Sequence, residues 1–231
     1  IMTAAPYVHH LLVLPGRNMV QEDSDFAVAC AVPIDTPGLT IVARPAGRPG
    51  ESGALFSARY GQTTGLCHFD KVFVPWKHVF LCGEWMHVDH LTKSYATHHR
   101  HTCIGARAGF GDLLIGAGAL MIEANGLSMT GNANLRDTMV ELIKVVEGFY
   151  ACGVAASVYG TEESAGNTMP EPVYANIGKL LLANQIYDMH RLAHTVSGGL
   201  VVTLPLPEDD HNPETGPNLA LVLQGRPDVS Y

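Results

Sequence analysis

Within the ten residues from His98 to Arg107 the chain carries three histidines (His98, His99, His101), two arginines (Arg100, Arg107) and the thiol of Cys103. An imidazole exchanges protons near neutral pH, a guanidinium pairs with anions, and a thiolate is a nucleophile or a metal ligand. The segment stands just ahead of a Gly- and Ala-rich apolar stretch that reads as a helix buried on most sides. Titratable groups at the mouth of a buried helix are costly to desolvate unless something pairs with them. A substrate, a cofactor or a metal would serve as that partner. A solvated loop with idle histidines would account for the same residues.

The elements that must position this segment divide by period. The first 80 or so residues read as β: Tyr7 to Leu14, Phe26 to Val32, Leu39 to Ala43, Cys67 to Val74 and Val79 to Leu81, with a Gly/Pro/Ser-rich loop from Pro45 to Gly53. Short runs at about 10-residue spacing, punctuated by Pro and Gly, mark an antiparallel sheet or barrel. The period then changes. Helices are predicted over Thr102 to Leu127, Asn134 to Tyr159 and Tyr174 to Val196, the last stopped by Gly198-Gly199. In the first of these, Gly105, Ala108, Gly109, Gly111, Gly116 and Gly118 predict close backbone packing, since each Gly costs a helix about 1 kcal/mol against Ala. Pro205 to Pro217 reads as an acidic loop. The outline is α+β, with a β domain over residues 1–81 and a helical domain over 82–231.

Composition narrows the function classes. Apolar residues make up 47% of the 231 and charged residues 16%, which predicts a large core and a surface partly covered by other subunits. A net charge of -8 with scattered arginines leaves no basic stripe for nucleic acid. No apolar run of about 18 residues lacks a polar break, Asp112 and Glu123 bracketing the best one, so no membrane span is expected. Five widely spaced cysteines without a C-x-x-C pair predict a reducing, cytoplasmic setting. Both ends read as cut from a longer protein.

Six motifs then occur in an order that resembles the flavoprotein family of 4-hydroxyphenylacetate 3-hydroxylase and 4-hydroxybutyryl-CoA dehydratase. They are FDKVFVPW (Phe69 to Trp76), LCGEW (Leu81 to Trp85), THHRHTCIGARAGFGD (Thr97 to Asp112), YACGVAAS (Tyr150 to Ser157), SAGN (Ser164 to Asn167) and SGGLVVTLP (Ser197 to Pro205). The resemblance covers almost the whole chain and lies closer to the dehydratase branch. It implies an acyl-CoA-dehydrogenase-like fold, a middle antiparallel β domain followed by a C-terminal helical bundle, assembled as a homotetramer around FAD.

The resemblance also implies site residues. Thr3 and the adjacent Ala4, with His9, fall where the family approaches the flavin. Gly198 and Gly199 match paired glycines that let backbone approach the dinucleotide. His99, Arg100, Arg107 and Cys103 are the catalytic candidates, with His99 matching a histidine that ligates an iron-sulfur cluster in the dehydratase branch. Ala106 stands where that branch has its third cluster cysteine, Thr64 where it has a proton-transferring glutamate, and Arg107 where it has a lysine. The implied activity is an FAD-dependent oxidoreductase on a phenol or acyl-CoA without a cluster, served in the hydroxylase case by a separate flavin reductase. A dehydratase or vinylacetyl-CoA isomerase with [4Fe-4S] and FAD is the alternative, and a non-catalytic paralogous subunit is the third. No G-x-G-x-x-G follows a strand, so a Rossmann nicotinamide site is not expected.

Overall fold

Alternating apolar residues and frequent Pro and Gly break the N-terminal part into short strands, seen in the computed structural model, which describes residues 1–47, 55–201 and 203–224. The described chain falls into two compact units, Ile1–Lys93 and Ser94–Tyr231. Most of the expected Pro45 to Gly53 loop and the tail from Gly225 lie outside the described residues.

The first unit holds two three-stranded antiparallel sheets. One is ordered β1 (Met2–Thr3), β5 (Thr64–Phe69), β4 (Leu39–Arg44), and the other β2 (His10–Val13), β3 (Val28–Pro33), β6 (Val79–Cys82). A short helix, α1 (Leu55–Tyr60), precedes β5. The strand expected over Cys67 to Val74 runs instead from Thr64 to Phe69 and ends in a turn where Lys71 has φ +50°. Gly65 is required in β5, because a Cβ there would stand 2.7 Å from Ile41 and 3.0 Å from Ala5. Ala27, Ala29, Leu81 and Val88 form the core of the second sheet, with Trp85 and Leu91 packed against them.

The second unit is built on three long helices: α2 (Val88–Ala124), α3 (Ala133–Val158) and α4 (Pro172–Val196). A small hairpin of β7 (Thr161–Glu162) and β8 (Thr168–Met169) joins α3 to α4. Gly178 of α4 lies against Ile104 and Cys152, whereas Gly118 lies against Met139 and Val196. These two layers set α3 antiparallel to α2 and α4. The core is Ile104, Ala108 and Ile122 of α2 with Leu142, Val146, Phe149, Leu182, Met189 and Leu192. Fully buried side chains of this size each contribute roughly 1.5–3 kcal/mol relative to exposure.

Four expectations are corrected here. The helix predicted from Thr102 begins at Val88, so His98 to Arg107 lies inside α2 rather than at its mouth. Nothing breaks the helix between Val88 and Thr102, because no Pro or Gly occurs there. The helix is also not buried on most sides: Leu113 (50% exposed) and Leu120 (68%) face outward. A Cβ at Gly111 would stand within 3 Å of the Val146 methyl groups, while one at Gly105, Gly109 or Gly116 would meet nothing within 4 Å among the described residues. Close packing thus uses one face of the glycine-rich stretch. Finally, the expected acidic loop contains α5 (Pro207–His211) and leads into α6 (Gly216–Leu223), each with a Pro in its first turn.

The helical segment Trp85–Ala124 is long enough, and apolar enough in part, to cross a membrane by length and composition alone. Its inward side chains nonetheless close the bundle core.

Candidate active site

Successive residues on a helix point about 100° apart, so His99, Arg100 and His101 fan out in three directions from α2. Arg100 Nη1 donates to Asn176 Oδ1 of α4 at 2.7 Å. His101 Nε2 lies 2.9 Å from Ser157 Oγ and 3.1 Å from the Gly153 carbonyl, both on α3. Ser157 Oγ itself donates to Gly153 O, which leaves His101 Nε2 as the donor to both. These three bonds clamp α2 to the other long helices.

His99 points away from both clamps and is exposed. It stacks on Tyr95 one turn before, ring centroids 5.7 Å apart and 23° between planes, and its Nε2 is 3.7 Å from Cys103 Sγ one turn after. Residues spaced by three and four share a helix face, so Tyr95, His99, Cys103 and Ala106 form one stripe. Ala106 presents only a methyl group there. Arg107 is exposed and lies eight residues, about 12 Å of helix rise, beyond His99.

In the first unit, β1 ends at Thr3 because Ala4 adopts the left-handed conformation, φ +60°, which costs a non-glycine residue about 1–2 kcal/mol. Two contacts hold it there: Ala4 N–H donates to the Thr63 carbonyl at 2.8 Å, and Tyr7 Oη lies 2.6 Å from Thr63 Oγ1. Thr3 pairs with Thr64, and Thr64 pairs on its other side with Arg44. Directly opposed residues share a sheet face, so two hydroxyls and a guanidinium form one row. The next row on that face is Leu66 and Val42, 52% and 61% exposed.

His9 is exposed, and its carbonyl accepts from Ile34 N–H. Gly198 and Gly199, with φ +84° and +79°, terminate α4 beside Val196, which packs at Gly118, 19 residues beyond His99 along α2. The glycine pair and the His99 stripe are therefore near opposite ends of the bundle. Glu84 is committed to its own turn, accepting from Cys82 N–H at 2.6 Å. That bond holds its carboxyl below the usual carboxylate range.

Sequence reasoning missed Tyr95, Ser157, Asn176 and Arg44. Tyr95 was open to discovery from its spacing of four before His99. Ser157 lay inside a quoted motif with no mark of its partner, and Asn176 and Arg44 depend on pairings between distant segments.

Comparison with known proteins agrees with this architecture. Residues 1–81 match the family described as 4-hydroxyphenylacetate 3-hydroxylase N terminal, and residues 88–231 match 4-hydroxyphenylacetate 3-hydroxylase C terminal. The 4-hydroxybutyryl-CoA dehydratase/vinylacetyl-CoA-Delta-isomerase of Clostridium aminobutyricum is 33% identical over 213 residues, 90% of this chain and 43% of that protein. The structure of an oxygen-tolerant archaeal 4-hydroxybutyryl-CoA dehydratase from N. maritimus superposes with a TM-score of 0.90 at 30% identity, over 99% of this chain and 46% of that one. The oxygenase component of 4-hydroxyphenylacetate 3-monooxygenase, complexed with FAD and 4-hydroxyphenylacetate, superposes at 0.80 with 25% identity, over 99% and 48%. The chain thus spans less than half the length of these relatives. It belongs to the 4-hydroxyphenylacetate 3-hydroxylase family.

Proposed function

We propose that the protein is an FAD-dependent oxidoreductase with an acyl-CoA-dehydrogenase-like fold, acting on a phenolic or acyl-CoA substrate without an iron-sulfur cluster. The observation that carries the cluster-free reading is the donor set. His99 and Cys103 stand together, and Ala106 offers no ligand on their stripe. A [4Fe–4S] centre takes about four protein ligands. Family membership and an FAD-bound structural relative support the flavin. The Thr3–Thr64–Arg44 row beside Val42 and Leu66 suits a flat ring with polar edges.

In this reading the flavin supplies the redox chemistry and the protein supplies orientation. Tyr95 holds the His99 ring by stacking, and His99 Nε2 takes or returns a proton at the substrate's phenolic or thioester-adjacent group. Arg107 offers an exposed cation to an anionic substrate. Arg100 is a positioning residue, since its guanidinium is engaged by Asn176. The exposed stripe containing Leu113 and Leu120 suits packing between subunits of a homo-oligomer.

The second reading is a dehydratase or isomerase carrying both FAD and a cluster, favoured by the 33% identity to the Clostridium enzyme. Titration of the full-length apo-protein with FAD tests what both readings share. Binding tighter than about 10 μM, roughly −7 kcal/mol, is expected, and no binding at that concentration contradicts both.

A further inference from the structure

We infer that His10 and His78, which meet on one face of the β2–β3–β6 sheet, chelate a divalent transition-metal ion of the zinc and nickel class through two imidazole nitrogens. None of the residues assigned above to flavin or substrate takes part.

The sheet topology brings the two rings together. β2 and β6 are the edge strands, each antiparallel to β3 between them. His10 opens β2 opposite Pro33, and His78 immediately precedes Val79, which opens β6 opposite Cys30. Both edge strands therefore start at the same end of the sheet, where β3 finishes. Directly opposed residues share a face, as do residues two apart along a strand, so His10 shares its face with Pro33 and Ala31. Ala31 carries only a methyl group there, which lets rings from the two edges meet across the middle strand. Their centroids are 5.7 Å apart, with 41° between the ring planes.

That spacing suits a shared ion. Imidazole nitrogen binds Zn²⁺ at about 2.0–2.1 Å, so two rings on one tetrahedral ion have centroids about 5 Å apart. Small side-chain rotations close the remaining difference. The backbone at both positions is already fixed: His10 lies in the β2 ladder, while His78 N–H donates to the Pro75 carbonyl at 2.9 Å and Val79 N–H to that of Trp76. Groups held in advance lose little freedom on binding. Among the described residues neither ring makes a hydrogen bond or an ion pair, which leaves their nitrogens free to ligate. Imidazole favours zinc, nickel and copper, whereas Mg²⁺ takes oxygen ligands. His10 is exposed, so the remaining coordination positions face solvent.

The test is calorimetric titration of full-length protein, first dialysed against a chelator, with Zn²⁺ and with Mg²⁺ as the hard-ion comparison. Wild type is compared with His10→Gln, His78→Gln and His68→Gln, the last an exposed histidine of β5 outside the pair. Wild type is expected to bind Zn²⁺ with a Kd of about 10 μM. His10→Gln and His78→Gln each lose that equivalent or weaken it by about tenfold or more, whereas His68→Gln keeps it and Mg²⁺ does not bind. Zn²⁺ also raises the thermal midpoint of wild type more than that of either variant, because an ion that binds only the folded state stabilises it. Matching midpoints without metal verify the fold, and either variant alone decides the outcome. Zn²⁺ binding unchanged in His10→Gln or in His78→Gln, equal binding of Mg²⁺, or no Zn²⁺ binding at about 100 μM overturns the assignment.

Discussion

His99 Nε2 lies 3.7 Å from Cys103 Sγ, one turn apart on α2, with Tyr95 stacked on the imidazole from the turn before. The imidazole is thus held in place by one helix face while both clamps to the neighbouring helices come from the residues beside it. His99→Ala is predicted to lower turnover by about 10²-fold or more, the scale of a lost general acid–base group, with FAD affinity within about twofold. Cys103→Ala, which removes only a neighbour of the imidazole, should cost less. Steady-state kinetics with FAD titration checks both, and unchanged turnover in His99→Ala would reduce that residue to a structural role.

The clamps make a stability prediction. His101→Ala removes the bond to Gly153 and Ser157, and Asn176→Ala removes the acceptor of Arg100. Each is predicted to cost about 0.5–1.5 kcal/mol. A double-mutant cycle on Arg100 and Asn176 should return a coupling of at least about 0.5 kcal/mol. Denaturant unfolding of the full-length variants measures this, and strict additivity of the pair would contradict the clamp.

How much of this was legible in the sequence follows from the range of each interaction. The helices α3 and α4 showed themselves through apolar spacing such as Met139, Leu142, Val145, Val146 and Phe149, because burying one face imposes a local period. The start of α2 was misplaced by fourteen residues, since THHRHT looks like loop chemistry by composition while nothing in it opposes a helix. The partners of Arg100 and His101 lie 76 and 56 residues away, and no local pattern encodes such pairings. Arg44 joins Thr3 only through the register of β5, which a one-residue slip would turn to the other face.

The glycines of α2 separate two environments. A Cβ at Gly111 would meet Val146 methyl carbons at 2.5 and 2.7 Å, whereas one at Gly109 meets nothing within 4 Å. Gly111→Ala is predicted to destabilise by about 1–3 kcal/mol through overpacking. Gly109→Ala should stabilise by up to about 1 kcal/mol through helix propensity. Urea midpoints of the two variants give the ordering, and the reverse order would contradict the packing of α2 on α3.

Acid should weaken the turn near Gln21. The Arg17 guanidinium bonds the Asp23 carboxylate at 2.9 and 3.1 Å, the Val20 N–H donates to it as well, and together they hold its carboxyl below the ordinary value. A group lowered on folding contributes its full stabilisation above the unfolded value, about 3.9 for Asp, and loses it as pH falls through the lowered folded value. The stability gap between wild type and Asp23→Asn should therefore be constant near neutral pH and narrow below about pH 4. Urea midpoints across that range check it, and a gap that widens on acidification would refute the pairing.

Ala106, on the stripe of His99 and Cys103, marks the proposed flavin enzyme as one whose cluster position has been lost. Iron, acid-labile sulfide and FAD, quantified together on full-length protein purified without oxygen, test it most directly. About one FAD per subunit is expected, with iron far below the roughly four atoms of a [4Fe–4S] centre. About four irons with matching sulfide would contradict it and establish the dehydratase reading in its place.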